Sequence, residues 1–201
     1  MSDGAVGRLL AAARRNRARG AALLALAAGM VLYVIHRTGH ALVPWLLLSV
    51  CVLVWGLPQV KAFFDTSVLV PVFYGDHERH DASIATFRNY TRRQACCGAH
   101  SLVEVYASLT RMPGRHRVSA DQAMLFVATL KERLTVIALT DEEYFRCLER
   151  NAALSIVGGT IYDALLAECA LKARAESIFT WNLRHYQLLG PEVSKRLRTP
   201  S

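Results

Sequence analysis

Between Arg19 and Lys61 the chain carries a single permanently charged side chain, Arg37. A stretch that poor in charge cannot supply the polar face of a helix lying on a water-soluble core, so it sets the first third of the chain apart from the rest. It consists of two apolar runs, residues 21–35 and 41–57, separated by His36-Arg37-Thr38-Gly39-His40 and preceded by an arm containing Arg8, Arg14, Arg15, Arg17 and Arg19. The pattern predicts a membrane hairpin with both ends in the cytoplasm, since basic residues flank it on either side. Each run is short: as a helix it reaches about 22–26 Å, against a hydrocarbon core of about 30 Å. A secretory signal fits less well, because a second apolar run follows the first in place of a cleavage site and polar sequence. A second reading stays open. Pro58-Gln59-Val60 leaves almost no linker before the next apolar stretch. A bacterial GTG codon at Val60 can also start translation, which would make residues 1–59 a mis-called start.

The charge divides at the same place. Residues 1–60 hold six Arg and one acid, a net +5, whereas residues 61–201 hold 18 basic and 15 acidic groups, a net +3. The larger part is only mildly basic, and its composition is that of a globular domain: the whole chain is 53% hydrophobic and 20% charged, which excludes a disordered polymer. Five cysteines, Cys51, Cys96, Cys97, Cys147 and Cys169, form no C-x-x-C pair and make an odd number. They read as small buried hydrophobes in a reducing compartment, which favours a cytoplasmic location for the larger part.

From Lys61 onward short apolar runs alternate with longer helical periods, the pattern of an α/β domain with a parallel sheet. Strands are expected at 61–64, 95–99, 135–138 and 177–179. Helices are expected at 67–74, 78–92, 101–110, 120–133, 141–150 and 161–175. Met112-Pro113-Gly114 closes the third helix, and Gly158-Gly159 makes a turn before the last.

Four polar residues fall where such a sheet would expose them. Asp65 follows the first strand; Glu104 and Asp163 sit in the first turns of helices; Asn182 follows the fourth strand. In open α/β sheets ligands bind at the carboxyl ends of the strands, where these groups would converge. Carboxylates sharing one crevice repel unless a cation lies among them, and hard oxygen donors suit Mg²⁺ or Mn²⁺. Each residue also has a plain structural role to weigh. Glu104 follows Ser101, and Asp163 follows Thr160, at capping-box spacing, and Asn182 alone would be an ordinary turn residue. Asp65 is harder to explain so, because a carboxylate abutting an apolar strand needs a partner or a metal.

The segments Phe63-Phe64-Asp65-Thr66-Ser67, His100-Ser101-Leu102-Val103-Glu104, Gly159-Thr160-Ile161-Tyr162-Asp163 and Thr180-Trp181-Asn182-Leu183-Arg184-His185-Tyr186 resemble, in order and spacing, the motifs of PIN-domain ribonucleases. The resemblance is closest to the VapC-type toxins and covers about residues 60–201. It implies a PIN-like three-layer α/β/α domain with a central parallel sheet, preceded here by an apolar N-terminal extension. It also implies a Mg²⁺- or Mn²⁺-dependent endoribonuclease, a hydrolase leaving a 5′-phosphate and a 3′-hydroxyl, paired with a cognate antitoxin protein and commonly a homodimer. Asp65, Glu104 and Asp163 match the acidic metal-site positions, and Asn182 falls where many relatives have a fourth acid. That departure removes one negative charge and weakens the case for a tightly held second ion.

Thr66 and Thr180 are candidates to hold substrate or a water, with turn capping as the alternative for each. His100 and His185 lie close to the motifs and read by default as packed or turn histidines. Arg92, Arg93, Arg111, Arg115 and Arg117 are candidates for RNA backbone contacts beside the mouth of the site, or solvated helix faces. Two other readings stay open: a housekeeping nuclease in RNA maturation or DNA repair, and an inactive membrane-anchored PIN-like module, which would require residues 1–59 to be expressed.

Overall fold

Strands buried on both faces must be apolar at every position, and Ala62, Phe63 and Phe64 meet that demand with no exposed surface. The computed structural model of the chain describes residues 60–114 and 117–201, together with the single positions Tyr33 and His36. The chain divides into two units between Leu57 and Pro58. Both apolar runs of the first unit, at 21–35 and 41–57, otherwise lie outside the described residues. Among the described residues no helix is long and apolar enough to cross a membrane.

The second unit runs β1 (Ala62–Phe64), α1 (Thr66–Val72), α2 (His80–Arg88), β2 (Ala95–Gly98), α3 (Ala99–Arg111), α4 (Ala120–Arg133), β3 (Thr135–Ile137), α5 (Asp141–Ala153), α6 (Thr160–Lys172), β4 (Ser177–Phe179), α7 (Leu183–Gln187), α8 (Pro191–Ser194) and β5 (Leu197–Arg198). The strands form one sheet in the order β3-β2-β1-β4-β5, with every pairing parallel. Phe63 aligns with Cys96 on one side and Ile178 on the other.

Alternation along the strands divides the core into two layers. Ala62, Phe64, Ala95 and Cys97 face a layer closed by Val68, Leu69, Val105, Leu109, Leu130 and Leu134 from α1, α3 and the α4 end. Phe63, Cys96 and Ile178 face the opposite layer, closed by Leu166, Cys169 and Ala170 of α6 and by Tyr186. The architecture is the expected three-layer α/β/α arrangement around a parallel sheet. Cys96, Cys97, Cys147 and Cys169 are all free and buried. Burial pushes their thiols up, those of Cys97 and Cys169 to about 12, so they behave as packing groups.

Several boundaries differ from expectation for identifiable reasons. The second strand stops at Gly98 and Ala99 already opens α3, because Gly98 takes the extended N-cap position. A Cβ on Gly98 would stand 2.6 Å from Leu166 Cδ2, so only glycine lets β2 pass this close to α6. The helix expected at 78–92 forms only over His80–Arg88, and Tyr90 beyond it turns inward against Phe64. α6 ends at Lys172, since Arg174 takes a left-handed conformation with φ 53°. α5 runs on to Ala153 before Ser155 does the same at φ 56°. The short elements α7, α8 and β5 were not expected from the pattern.

Candidate active site

Because every strand is parallel, the carboxyl ends of β1, β2 and β4 share one edge, and the helices that begin there start from it: Asp163 stands in the first turn of α6 as expected, whereas Glu104 stands in the second turn of α3, because α3 already opens at Ala99. Asp65 closes β1 and is itself the N-cap of α1, with extended backbone at φ −71° and ψ 154°. Its carboxylate is 1% exposed and its oxygens are held from several directions. Oδ2 accepts from Ser67 Oγ at 2.5 Å, from Thr180 Oγ1 at 2.7 Å and more weakly from the Ser67 amide at 3.4 Å; Oδ1 accepts from the Tyr186 hydroxyl at 3.0 Å. The two hydroxyls are fixed in turn by the segment between β4 and α7: Trp181 N donates to Ser67 Oγ and Asn182 N to Thr180 Oγ1, each at 2.9 Å. A buried carboxylate needs such compensation.

Glu104 and Asp163 stand on α3 and α6. Glu104 Oε2 accepts from Thr66 Oγ1 at 2.6 Å, while Oε1 lies 4.0 Å from His100 Nε2. Asp163 Oδ2 lies 2.7 Å from His185 Nδ1, and Oδ1 accepts a long bond from Asn182 Nδ2 at 3.4 Å. Neither acid is a cap. The N-caps of α3 and α6 are Gly98 and Gly159, and neither makes a side-chain cap bond, so the capping-box alternative for Glu104 and Asp163 falls. Complete capping boxes form elsewhere, at Ser119/Gln122 and Thr140/Glu143. Thr66 binds Glu104, whereas Thr180 serves twice: its hydroxyl donates to Asp65 and accepts the amide of Asn182 two residues on, which caps the turn after β4.

The carboxylates feel one another. Burial pushes the Glu104 carboxyl above its ordinary range; Thr66 and His100 oppose the rise, and the charges of Asp65 and Asp163 add to it. Asp163 is raised first by burial and then by Asp65, against the donors His185 and Asn182. The Tyr186 hydroxyl is pushed well up by complete burial and the nearby acids, so it stays a donor to Asp65. Among the described residues no three His, Cys, Asp or Glu side chains stand close enough to make a ready-made metal cluster. The chemistry of the donor set nonetheless fits a hard divalent cation: three carboxylates from three elements, mutually repelling and with only oxygen to offer.

The geometry brings Asp65, Glu104, Asp163, Asn182, Thr66 and Thr180 to one edge and adds three residues to them. Ser67 follows Asp65 by two, a spacing at which a hydroxyl reaches back to a carboxylate. His185 and Tyr186 follow Asn182 by three and four, one helical turn, and this was the available signal that they share its surroundings. His185 therefore belongs to the site. The arginines divide. Arg92 and Arg93 precede β2 and so lie at the opposite, amino-terminal edge of the sheet, which removes them from the mouth. Arg111 ends α3, Arg117 donates from Nε to the Met112 carbonyl, and Arg115 lies outside the described residues.

The family model of the PIN domain matches residues 62–188. Ribonuclease VapC27 of Mycobacterium tuberculosis is 38% identical over 113 residues, 56% of this chain and 78% of the relative. Ribonuclease VapC40 of the same species is 33% identical over 134 residues, 67% of this chain and 92% of the relative. Among solved structures, M. tuberculosis VapC20, a sarcin–ricin loop cleaving toxin, superposes with a TM-score of 0.50 at 18% identity over 59% of this chain and 87% of that one. A toxin–antitoxin complex from Klebsiella pneumoniae gives 0.50 at 16% identity, over 70% and 98%. The two structures share the fold, and the family model spans the segment that carries all three acids. With the parallel sheet and its acidic carboxyl edge in place, the chain belongs to the PIN-domain family and, within it, to the VapC-type ribonucleases.

Proposed function

We propose that residues 60–201 are a Mg²⁺- or Mn²⁺-dependent endoribonuclease, the toxin of a VapBC-type pair, with Asp65, Glu104 and Asp163 as its metal-holding and catalytic residues. The observation that carries this reading is that those acids share the carboxyl edge of the sheet and are each held by a neighbour from that edge, Glu104 by Thr66, Asp65 by Thr180 and Asp163 by His185. A bound divalent cation supplies the positive charge that polarises the scissile phosphate and favours deprotonation of the attacking water.

The protein's own groups prepare the rest. Tyr186, Thr180 and Ser67 fix the Asp65 carboxylate before any substrate arrives, which is the preorganisation that electrostatic catalysis requires. Thr66 holds Glu104 Oε2 and leaves Oε1 as the oxygen placed to take the proton of the attacking water. Asn182 and His185 orient Asp163 in place of a fourth acid. In the overall reaction the water oxygen bonds to phosphorus, the bond from phosphorus to the 3′-oxygen breaks, and that oxygen leaves protonated as a 3′-hydroxyl.

RNA is the substrate in this reading, a cognate antitoxin protein restrains the enzyme, and two copies pair as a homodimer in the cytoplasm. Residues 1–59 form a separate segment, and they bring the domain to a membrane only if they are translated. N-terminal mass analysis of the native protein decides that point. Expression of residues 60–201 in bacteria tests the function. Wild type arrests growth with RNA cut at few positions, and Asp65→Asn does neither. Arrest that persists with Asp65→Asn points to toxicity from misfolding, and a harmless protein that cuts RNA points to a housekeeping nuclease.

A further inference from the structure

The imidazole of His100 and the phenol ring of Tyr162 stack face to face, with centroids 5.2 Å apart and planes 12° from parallel. The rings come from different helices. His100 lies on α3 one turn before Glu104, and Tyr162 lies on α6 immediately before Asp163, so the pair bridges the two helices that carry site acids. Unlike the aromatic contacts around Phe64, this one stands at the surface: Tyr162 is 49% exposed. The stack therefore leaves about half of Tyr162 open to solvent, enough surface for a further ring to reach it. The packing of α3 and α6 does not need the pair, since Val105 and Leu166 already seat the two helices in the core.

We propose that the His100–Tyr162 stack is a platform on which an unpaired nucleobase of the RNA substrate lies, next to the phosphate being cut. The inference rests on the ribonuclease reading given above. Three carboxylates gather at this edge of the sheet, and a phosphate backbone brought to them alone meets repulsion. A flat, uncharged ring surface at the lip attracts the neighbouring base through stacking, which that repulsion does not weaken, and every base offers such a face. Bases in a duplex already stack on one another and cannot use the platform. The pair therefore selects single-stranded or splayed-out nucleotides, the form in which proteins generally read RNA bases.

The test pairs a ring deletion with a base deletion in the full chain. Binding of a fluorescein-labelled unstructured RNA is measured by anisotropy in EDTA, where cleavage is suppressed, with a single abasic nucleotide moved along the strand; cleavage of the intact RNA with Mg²⁺ is followed in parallel. Tyr162→Leu should weaken binding about 5- to 100-fold. One abasic position should weaken wild type by a similar factor yet cost the Leu variant nothing further, and Tyr162→Phe should bind as wild type does. In cleavage the Leu variant should show its loss in KM more than in kcat.

Losses that multiply at every abasic position, or a Tyr162→Leu variant that binds and cleaves normally, would overturn the platform while leaving the ribonuclease reading intact. A loss shared by Tyr162→Phe would also overturn it, because phenylalanine keeps the ring. Wild type that neither binds nor cuts RNA would sink both.

Discussion

The phenolic hydroxyl of Tyr186 donates to Asp65 Oδ1 across 3.0 Å, and both residues are sealed from solvent. Tyr186→Phe keeps the ring and its packing but leaves the buried carboxylate oxygen without that donor. A hydrogen bond to a charged group contributes about 1.5–3 kcal/mol, and the variant should lose stability in that range. Urea unfolding checks it. A midpoint unchanged from wild type would show that Asp65 does not depend on the phenol.

Asn182 faces Asp163 as a donor, with Nδ2 3.4 Å from Oδ1. Asn182→Asp replaces that donor with a second anion. The metal-free variant should unfold at a lower temperature than wild type, while saturating Mn²⁺ should raise its melting temperature by more than it raises that of wild type, since bound ligand stabilises by mass action. A smaller metal-dependent shift than in wild type would show that the amide has a task an acid cannot perform.

Raised carboxyls give stability a definite dependence on pH. Glu104 and Asp163 titrate above their ordinary values of 4.5 and 3.8, so between those values and the folded ones the native state binds more protons than the unfolded chain. This contribution is fully present below the ordinary values and is lost as pH rises through the folded ones. The metal-free protein should therefore gain stability from these two groups as pH falls from 7 towards their ordinary values. Denaturation across that range should show a smaller gain for Asp163→Asn than for wild type. An identical slope in the two proteins would contradict the coupling of the acids.

A methyl group added at Gly98 would meet α6 at 2.6 Å. The atom in its way belongs to Leu166, itself 1% exposed and with little room to move. Gly98→Ala should cost about 1–3 kcal/mol by overpacking. A double variant with Leu166→Ala should recover part of that loss relative to the sum of the two single changes. Additive losses would place the strain elsewhere.

The strand cores were legible in the sequence because the inner strands of a parallel sheet covered on both sides are apolar along their buried stretch, as Ala62-Phe63-Phe64 is. Ala62-Phe63-Phe64 and Ser177-Ile178-Phe179 could be placed to within a residue. The acids were legible through their order and spacing, although the spacing of Glu104 from Ser101 also suggested a capping box that α3 does not form. What holds the acids was not legible. Thr180 and Tyr186 reach Asp65 over sequence separations of 115 and 121 residues, and no local pattern announces such contacts. Helix ends were missed where a backbone residue with positive φ decides them, as at Arg174, since any residue type can stop a helix when the tertiary context requires it.

Those long separations bear on when the enzyme becomes an enzyme. A chain grown from its N-terminus has made Asp65, Glu104 and Asp163 before it has made β4, and at that stage Asp65 has only Ser67 as a hydroxyl partner. The strand that borders β1 on its open side, the threonine that fixes Asp65 and the tyrosine beneath it all follow Asp163 in the chain. Asp65 therefore has its full set of donors only once the chain has been made as far as Tyr186, and shorter nascent chains carry the acids without the frame that aims them.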